Sequence, residues 1–285
     1  MVPGGETEQK YIYDCNWLQL AENNADQVHF VFLHDPEEAR AKLDGHRPSV
    51  SGAPLEDYFN VGLKEFERDL TTIRENFQSR VLEWQESPLG VIGIHTRRVG
   101  EFIWVRLGDY IMPNVDQFAP SRFRPTGELD FGPLYMTAWT VPVDDTHTVA
   151  FQFRYAPENS EQRAVARPLR SSQSINRTYE DRQRQPGDYE AQESQRPIAV
   201  HALEHLGATD RGVTLVRKLL REGIRALQRG EDPKRAVSCV GNAISTYCRN
   251  TVLRVPPAES PEADRELLRN TGRKVAAAAL SGQPV

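Results

Sequence analysis

The sequence is poor in cysteine, in long apolar runs and in excess positive charge. Its three cysteines, Cys15, Cys239 and Cys248, are scattered through 285 residues, which argues against a disulfide framework and for a reducing compartment. No apolar run approaches the roughly 20 residues that span a bilayer, and the N-terminus lacks the basic and apolar segments of a secretory signal. A net charge of -5 gives no sign of nucleic-acid binding. We therefore expect a cytoplasmic protein that binds neither membrane nor nucleic acid.

The composition is that of an ordinary folded domain. Hydrophobic residues make up 39% of the chain and charged residues 26%, and the length suffices for one large domain or two small ones with a sizeable core. We expect residues 1–13 to be disordered and residues 14–256 to form one folded domain. The segment 257–285 is rich in Pro, Ala and Gly, and we expect it to be a flexible tail.

A period of two in hydrophobicity begins near residue 81 and indicates β-strands. The strand-like runs are "RVLEWQE" (80–86), "GVIGIHTRRV" (90–99), "EFIWVRLGDYIM" (101–112), "PLYMTAWTVPV" (133–143) and "HTVAFQFRYA" (147–156). Turn residues separate several of them, and such short connections favour an antiparallel meander.

Helical patterns lie on both sides of these strands. Residues 14–33 predict a helix capped by Asp14, and "GDYEAQES" predicts a short one. The run "DRGVTLVRKLLREGIRALQRGEDP" predicts an amphipathic helix. Its expected apolar face comprises Val213, Val216, Leu219, Leu220, Ile224 and Leu227. Strands and helices together predict an α+β fold.

One stretch, "NWLQLAENNADQVHFVFLH", carries a carboxylate and two imidazoles as Asp26-x2-His29-x4-His34. Residues five apart on a regular helix point about 140° apart, so both histidines reach one ion only if the helix bulges or ends between them. Either they are interior side chains bonded to backbone carbonyls, or they bind a metal. Two His and one carboxylate form the facial triad of non-haem Fe(II) oxygenases, and Asp26 is placed to support a ligating His.

Four ordered blocks resemble Rieske non-haem iron oxygenases, most closely phthalate dioxygenase-like α subunits. The first is the stretch above, which resembles the family's N-W-x-Q, Glu and D-x2-H-x4-H pattern. The others are "VPVDDTHT" (141–148), "NRTYEDRQRQ" (176–185), and "DYEAQES" (188–194) followed by "PI" and "EHLGATDRGV" (204–213). The resemblance covers roughly residues 16–233.

The resemblance implies a catalytic domain with a helix-grip (START-like) antiparallel sheet, with helices packed over it, over residues 14–256. It implies a mononuclear Fe(II) bound by His29, His34 and Asp188. Asp26 would be the bridge for electron transfer to that iron. For the residues that line the substrate pocket, we predict Asn23, Gln27 and Phe30.

The implied reaction is O2-dependent hydroxylation, or oxidative demethylation, of an aromatic acid or related ring compound. The family also uses a Rieske [2Fe–2S] cluster held by C-x-H and C-x2-H, and this sequence contains neither pattern. We therefore expect the cluster to come from a Rieske ferredoxin or a Rieske domain supplied elsewhere. An NAD(P)H-dependent reductase and a homo-oligomer, a trimer by resemblance, complete the expected system. The alternatives are a non-catalytic helix-grip ligand-binding module and a structural subunit.

Overall fold

The structure, a computed structural model, describes residues 6–26, 28–29, 81–119, 129–132, 136–155, 178–180, 187–233 and 244–282. The described strands are β1 (Glu6–Tyr13), β2 (Val81–Glu86), β3 (Gly90–Val99), β4 (Phe102–Ile111), β5 (Val115–Phe118), β6 (Leu129–Gly132), β7 (Met136–Pro142), β8 (Thr148–Tyr155) and β9 (Arg249–Arg254). The α-helices with both ends described are α1 (Trp17–Ala25), α2 (Asp188–Glu193), α3 (Arg211–Gln228) and α4 (Pro261–Ser281). Short 3-10 turns span His201–Leu203 and Ala208–Asp210.

The chain divides into two units, and unit 1 comprises residues 1–64 and 138–210. In unit 1, β1 and β8 pair antiparallel, with Tyr13 opposite Thr148, and β7 is the next neighbour of β8. Along β1 the side chains of Tyr11 and Tyr13 are buried, whereas Ile12 between them is 54% exposed. This alternation buries one face of the strand. A small core forms from Tyr11, Tyr13, Cys15, Leu20 and Ala150.

Unit 2 comprises residues 65–137 and 211–285, and its centre is the antiparallel pair of β3 and β4. The register of this pair runs from Gly90 opposite Ile111 to Val99 opposite Phe102. Strand β2 pairs with the other side of β3, while β5 and β9 both pair with β4, and β6 pairs with β9. Every one of these pairings is antiparallel.

Helix α4 covers one face of β3 and β4. Apolar residues from both strands meet it in one core, whose members include Ile92, Ile94, Ile103, Val105, Leu107, Leu268, Val275 and Ala276. The helix approaches the sheet closely at Gly272, where an added Cβ would collide with the side-chain oxygen of Thr96. At its start, the Asp264 carboxylate lies 2.5 Å from Arg98 Nη2 in a nearly buried ion pair. Close packing of small residues is what lets this helix bury its face.

The predicted α+β class is confirmed, and all five strand-like runs are strands in the structure, as β2, β3, β4, β7 and β8. The two helices predicted near residues 188 and 211 are also present. Among the described helices, none combines the length and apolar character needed to cross a membrane.

Both chain ends differ from expectation. The prediction of disorder is wrong for Glu6–Tyr13, because these residues form β1 against β8. The prediction of a flexible tail is wrong for Pro261–Ser281, because this segment is a helix whose small residues pack in the core of unit 2. Ser260 caps its start and Gly282 ends it in the left-handed conformation, as is typical of helix ends.

Two helices differ in detail from their predictions. Helix α1 is capped by Asn16 rather than by Asp14, and it ends at Ala25 rather than near residue 33. In α3, Val213, Val216 and Leu219 are buried as expected. The other end of the predicted apolar face is exposed, by 55% at Ile224 and 62% at Leu227. The predicted apolar face is therefore only partly buried, although Ala226 near the end of the helix is buried.

Candidate metal centre

Helix α1, which leads into the Asp26–His29 segment, is held at its start by Asn16. The side-chain oxygen of Asn16 accepts a hydrogen bond from Leu18 N at 3.0 Å, which is the usual contact of an N-cap. Its Nδ2 donates to the carbonyl of Asp145 at 2.8 Å, and its backbone N–H donates to the carbonyl of Pro197 at 2.8 Å. One residue thus joins the helix start to two distant segments.

Gln19 is 4% exposed and joins α1 to the chain that follows α2. Its Nε2 donates to the carbonyls of Gln192 at 2.9 Å and Arg196 at 3.0 Å. Its Oε1 accepts from Ala199 N at 3.0 Å. Breaking these contacts would leave buried polar groups without partners, which is costly. Gln19 therefore fixes the position of α1 relative to the residues after α2.

Asp26 ends α1 and turns the chain. Its backbone is extended, with φ -91° and ψ 97°. Its Oδ1 accepts hydrogen bonds from Val28 N at 2.9 Å and His29 N at 3.3 Å, the pattern of an Asx turn. His29 itself is helical again. The helix thus ends at Ala25, before His29. The spacing in the sequence predicts a bulge or an end between His29 and His34 instead.

The turn also determines which nitrogen of His29 is available. Nδ1 makes a short hydrogen bond to the carbonyl oxygen of Asp26, and because a carbonyl only accepts, Nδ1 carries the proton. In the neutral ring Nε2 is then the nitrogen that carries the lone pair, and it lies 3.5 Å from Asp188 Oδ1. Metal-binding histidines usually donate their other ring N–H to a carbonyl or carboxylate in this way.

Asp188 stands in the first turn of α2, where Gly187 N donates to Glu190 Oε2 at 2.8 Å. The Asp188 side chain is 43% exposed, compared with 19% for His29. Asn23 Nδ2 donates to Asp188 Oδ1 at 3.3 Å, so this amide orients the carboxylate from α1. We predicted Asn23 as a residue of the substrate pocket. Its contact with Asp188 is a role that the sequence alone did not suggest.

Two tyrosines lie beside this carboxylate. The rings of Tyr13 and Tyr189 are 5.2 Å apart at their centroids. Burial, and after it the charge of Asp188, raises the pKa of the Tyr13 phenol far above its ordinary value, so Tyr13 remains neutral. Burial also raises the pKa of the Cys15 thiol to about 12. Since thiolates are the metal-binding form of cysteine, Cys15 is a poor ligand at neutral pH.

Three predicted site residues, Gln27, Phe30 and His34, lie outside the described residues. Metal binding by His34 and substrate contacts of Gln27 and Phe30 therefore stay predictions. Within the described part of the chain, the structure brings Asn23, Asp26, His29 and Asp188 together through the contacts given above.

Three histidines that are not predicted ligands, His95, His147 and His201, have other neighbours. His147 Nδ1 lies 2.9 Å from Asp144 Oδ1 on an exposed turn, where hydrogen bonds from Thr146 N and His147 lower the pKa of Asp144 to about 2. His95 is buried in unit 2 beside Trp84. His201 lies 3.9 Å from Glu204.

The long-range polar contacts of α1 are what sequence reasoning missed. Besides Asn16 and Gln19, the N–H of Asp14 donates to Glu193 Oε1 at 2.8 Å. The only sequence signal for them is that Asn16, Gln19 and Glu193 stand in the quoted N-W-x-Q and Q-E-S blocks. A motif position that is neither apolar nor a plausible ligand is a reason to suspect such a contact.

Comparison with known proteins gives related oxygenase subunits. The chain is 32% identical over 278 residues to the tert-butanol monooxygenase / tert-amyl alcohol desaturase oxygenase subunit of Aquincola tertiaricarbonis, covering 93% of this chain and 54% of the relative. It is 24% identical over 266 residues to the 5,5'-dehydrodivanillate O-demethylase oxygenase subunit of a Sphingobium species, covering 88% and 52%. These are subunits of Rieske-type oxygenases. The chain is related to this family.

The chain spans about half the length of these relatives of the Rieske oxygenase family, 54% of the first and 52% of the second. No protein-family model matches it. Among solved structures, dicamba monooxygenase bound to 3,6-dichlorosalicylic acid is similar with a TM-score of 0.47 and 12% sequence identity, over 79% of this chain and 60% of that chain. The predicted family resemblance is confirmed, and non-haem iron is the metal of this family.

The described residues fit a non-haem iron ion. Two ligand atoms that are each about 2.1 Å from one ion lie about 3.0 Å apart at the 90° angle of a facial triad, and about 3.4 Å apart at a tetrahedral angle. The distance between His29 Nε2 and Asp188 Oδ1 is 3.5 Å. A neutral imidazole and a carboxylate are the donor types of the iron triad, and Asn23 holds the carboxylate in place.

Proposed function

We propose that this chain carries the mononuclear Fe(II) centre of a Rieske-type oxygenase, with His29, His34 and Asp188 as ligands. The proposed reaction is O2-dependent hydroxylation or oxidative demethylation of an aromatic acid or related ring compound. The observation that carries the proposal is the approach of His29 Nε2 to Asp188 Oδ1 at 3.5 Å in a relative of oxygenase subunits.

When bound, the iron would supply the redox chemistry of O2 activation. The chain's own residues prepare its site. The carbonyl of Asp26 keeps the proton of His29 on Nδ1, so that Nε2 is the nitrogen that can bind a metal, while Asn23 orients the Asp188 carboxylate. The neutral Tyr13 phenol adds no negative charge next to Asp188. Together these contacts preorganise two ligands before the ion arrives.

Electron delivery is proposed to come from outside the segment described. We propose a [2Fe–2S] cluster on a Rieske ferredoxin or Rieske domain, reduced by an NAD(P)H-dependent reductase, with delivery between subunits of a cytoplasmic homotrimer. Asp26 is the proposed bridge, because its carboxylate is 31% exposed and lies 4.0 Å from His29 Nδ1. A charged side chain that is both exposed and next to a metal ligand can contact an electron-donor protein and the metal ligand at the same time.

The relatives favour a second substrate class. The Sphingobium relative is named an O-demethylase of dehydrodivanillate, and a phenoxybenzoate dioxygenase subunit alpha from Ectopseudomonas oleovorans is 28% identical over 128 residues, covering 45% of this chain and 30% of that subunit. Both names indicate ring compounds. The Aquincola relative, at 32% identity, is instead named for tert-butanol and tert-amyl alcohol. Small branched alcohols are therefore the second candidate substrates.

Anaerobic reconstitution tests the function. The chain is loaded with Fe(II) and supplied with O2, NAD(P)H and a reductase, with and without an added Rieske ferredoxin, against vanillate-type acids and tert-butanol. We expect product only in the tube that contains the ferredoxin, because the chain's cysteines cannot form the C-x-H and C-x2-H ligand set. Multiple turnovers with reductase alone would refute the proposed electron path. Iron binding without product from any donor would favour the non-catalytic alternatives.

A further inference from the structure

A second group of metal-binding side chains lies in unit 1, apart from the pair His29–Asp188. Glu22 belongs to α1, while His201 opens a 3-10 turn and Glu204 follows it. One donor atom of each lies within 4.8 Å of the other two, and His201 Nε2 is 3.9 Å from Glu204 Oε1. We propose that these three residues, the Glu22 cluster, bind a divalent transition-metal ion.

The separations suit one shared ion. Two donor atoms on opposite sides of an ion, each about 2.1 Å from it, lie about 4.2 Å apart. The 3.9 Å between His201 and Glu204 falls within this span. Three donor atoms spaced evenly around one ion at this distance lie about 3.6 Å apart. The donor atoms of the cluster lie within 4.8 Å of one another, so rotation of the flexible Glu22 and Glu204 side chains toward His201 completes the fit.

The backbone that carries the cluster is held in place by contacts outside it. Gln19 stands almost one helical turn before Glu22 on α1, and its Oε1 accepts from Ala199 N at 3.0 Å. Two residues earlier, the carbonyl of Pro197 accepts from Asn16 N at 2.8 Å. The segment that leads to His201 is thus fastened to the same helix that presents Glu22. Such preorganisation lowers the entropic cost of binding.

Charge and donor type indicate the class of ion. Two carboxylates that share a site repel each other, and a dication between them replaces this repulsion by attraction. An imidazole nitrogen beside two carboxylates favours first-row transition ions such as Zn²⁺ over Mg²⁺ or Ca²⁺, which prefer oxygen donors. This donor set also differs from the two-histidine triad proposed for the iron.

The Glu22 cluster is distinct from the proposed iron site. Glu22 and Asn23 are consecutive on α1, so their side chains leave the helix about 100° apart. Asn23 points to Asp188, whereas Glu22 points to His201 and Glu204. An ion in the cluster would cross-link α1 to the turn at 201–204, and would thereby steady the helix that leads to Asp26.

Zn²⁺ titration of the full chain tests the proposal without using activity. A His29→Ala/Asp188→Ala variant removes the proposed iron site, and calorimetry then counts the remaining Zn²⁺ ions. We expect one ion per chain, with affinity at least tenfold weaker after the further change His201→Ala or Glu204→Gln. His147→Ala is the matched control, because His147 also pairs with one carboxylate but belongs to no such cluster among the residues that the structure describes. It should leave the titration unchanged.

Absence of Zn²⁺ binding in the doubly substituted variant overturns the proposal, as does binding that His201→Ala leaves intact. If circular dichroism shows that this variant is unfolded, the wild-type chain replaces it. There, His201→Ala must lower the Zn²⁺ stoichiometry by one, and an unchanged stoichiometry overturns the proposal. The result does not depend on the proposed oxygenase function, since a chain that never bound iron at His29 would give the same titration.

Discussion

In unit 2, helix α4 buries Leu268, Val275 and Ala276 against β3 and β4. In unit 1, helix α1 is instead tied down by Asn16 and Gln19, whose side chains bond to backbone groups 129 to 180 residues away in sequence. Apolar packing is non-directional and tolerates small shifts, whereas a hydrogen bond weakens steeply when its geometry is disturbed. A metal centre needs ligands at defined positions, and the candidate centre lies next to the helix that these long-range hydrogen bonds hold in place.

The comparison implies that substitutions in the two units fail differently. Changes in the apolar core of unit 2 should lower the free energy of unfolding, with the metal site affected only through unfolding. Changes among the polar contacts of unit 1 should disturb the site at a smaller cost in stability.

The largest expected effect is loss of iron. His29→Ala and His34→Ala each remove a proposed ligand, so the iron content of anaerobically purified protein should fall to background, as measured by mass spectrometry. Asp26→Asn should retain most of the iron, because an amide oxygen can still accept from Val28 and His29, but electron delivery should slow. Complete loss of iron in Asp26→Asn would make Asp26 a primary ligand and contradict this division of roles.

The next largest effect concerns the core of unit 2. Leu268 is fully buried, and Leu268→Ala should lower the free energy of unfolding by about 2–5 kcal/mol through lost burial and a cavity. The matched control is Leu227→Ala, because Leu227 is 62% exposed on α3 and should change stability by less than about 0.5 kcal/mol. Urea denaturation at neutral pH measures both. If Leu268→Ala and Leu227→Ala lowered the free energy of unfolding equally, burial of Leu268 in the core of unit 2 would not be a main source of stability.

Asp109 gives unit 2 a pH dependence. Its side chain is 2% exposed, and burial raises its pKa from 3.8 to about 6 despite a hydrogen bond from Tyr247 N. The folded state then holds a proton that the unfolded state releases between these values. The free energy of unfolding should therefore fall as pH rises from about 4 to about 6, by about 3 kcal/mol. Asp109→Asn should remove this slope.

Asp144 in unit 1 provides the control of opposite sign for that measurement. Hydrogen bonds from Thr146 N and His147 lower its pKa to about 2, so its contribution is lost as pH falls below its ordinary value. Between pH 4 and 6 the slope of the free energy of unfolding against pH should be the same for Asp144→Asn as for the wild type, although the two proteins can differ by a constant offset. A wild-type slope in that range that survives Asp109→Asn would mean that another group carries it.

The smallest effect is expected at Gln19. Gln19→Ala removes three hydrogen bonds and leaves buried backbone groups unpaired, at a cost of about 1–3 kcal/mol. Because Gln19 positions α1, the affinity for iron should also weaken, although no ligand is changed. Gln195→Ala is the control, since Gln195 is exposed and its side chain donates to the carbonyl of Ala191 in its own helix region. A Gln19→Ala protein with normal iron affinity would show that α1 needs no such clamp.

Local patterns predicted the elements whose burial follows a simple period. The strands β3 and β4 were found because apolar residues dominate both, and α3 because its first half is amphipathic. Strand β9 was missed because its buried positions include the polar residues Asn250 and Thr251. Strand β1 was missed because a charged residue begins it, and among the described strands it pairs with β8 alone.

Helix α4 had ordinary end signals that its composition concealed. Ser260 with Pro261 marks a start and Gly282 marks an end, but the alanines and Gly272 between them suggested a frayed tail. Those small residues are instead what allows close approach to Thr96 and Ile94. Composition alone cannot separate a loose segment from a tightly packed one, because the difference lies in the partner surface.

The candidate site was only partly predictable. The pairing of His29 with Asp188, 159 residues apart in the sequence, followed from the family resemblance and not from any local period. The contact of Asn23 with Asp188 and the bonds of Gln19 have no periodic signature, since each depends on where a distant segment lies. Such polar contacts emerge only when the chain is folded.

At position 26 the backbone and the side chain respond differently to amino-acid substitution. The atom that holds the proton of His29 on Nδ1 is the carbonyl oxygen of residue 26, which every amino acid possesses. A substitution at this position can thus change the side chain, and with it the proposed contact with an electron donor. It keeps the carbonyl oxygen that accepts the hydrogen bond from His29 Nδ1. The side chain of residue 26 also shapes the turn, since Asp26 Oδ1 accepts from Val28 N and His29 N. On the proposed function, changes at this position would act on electron delivery more directly than on the choice of imidazole nitrogen, which a backbone atom makes.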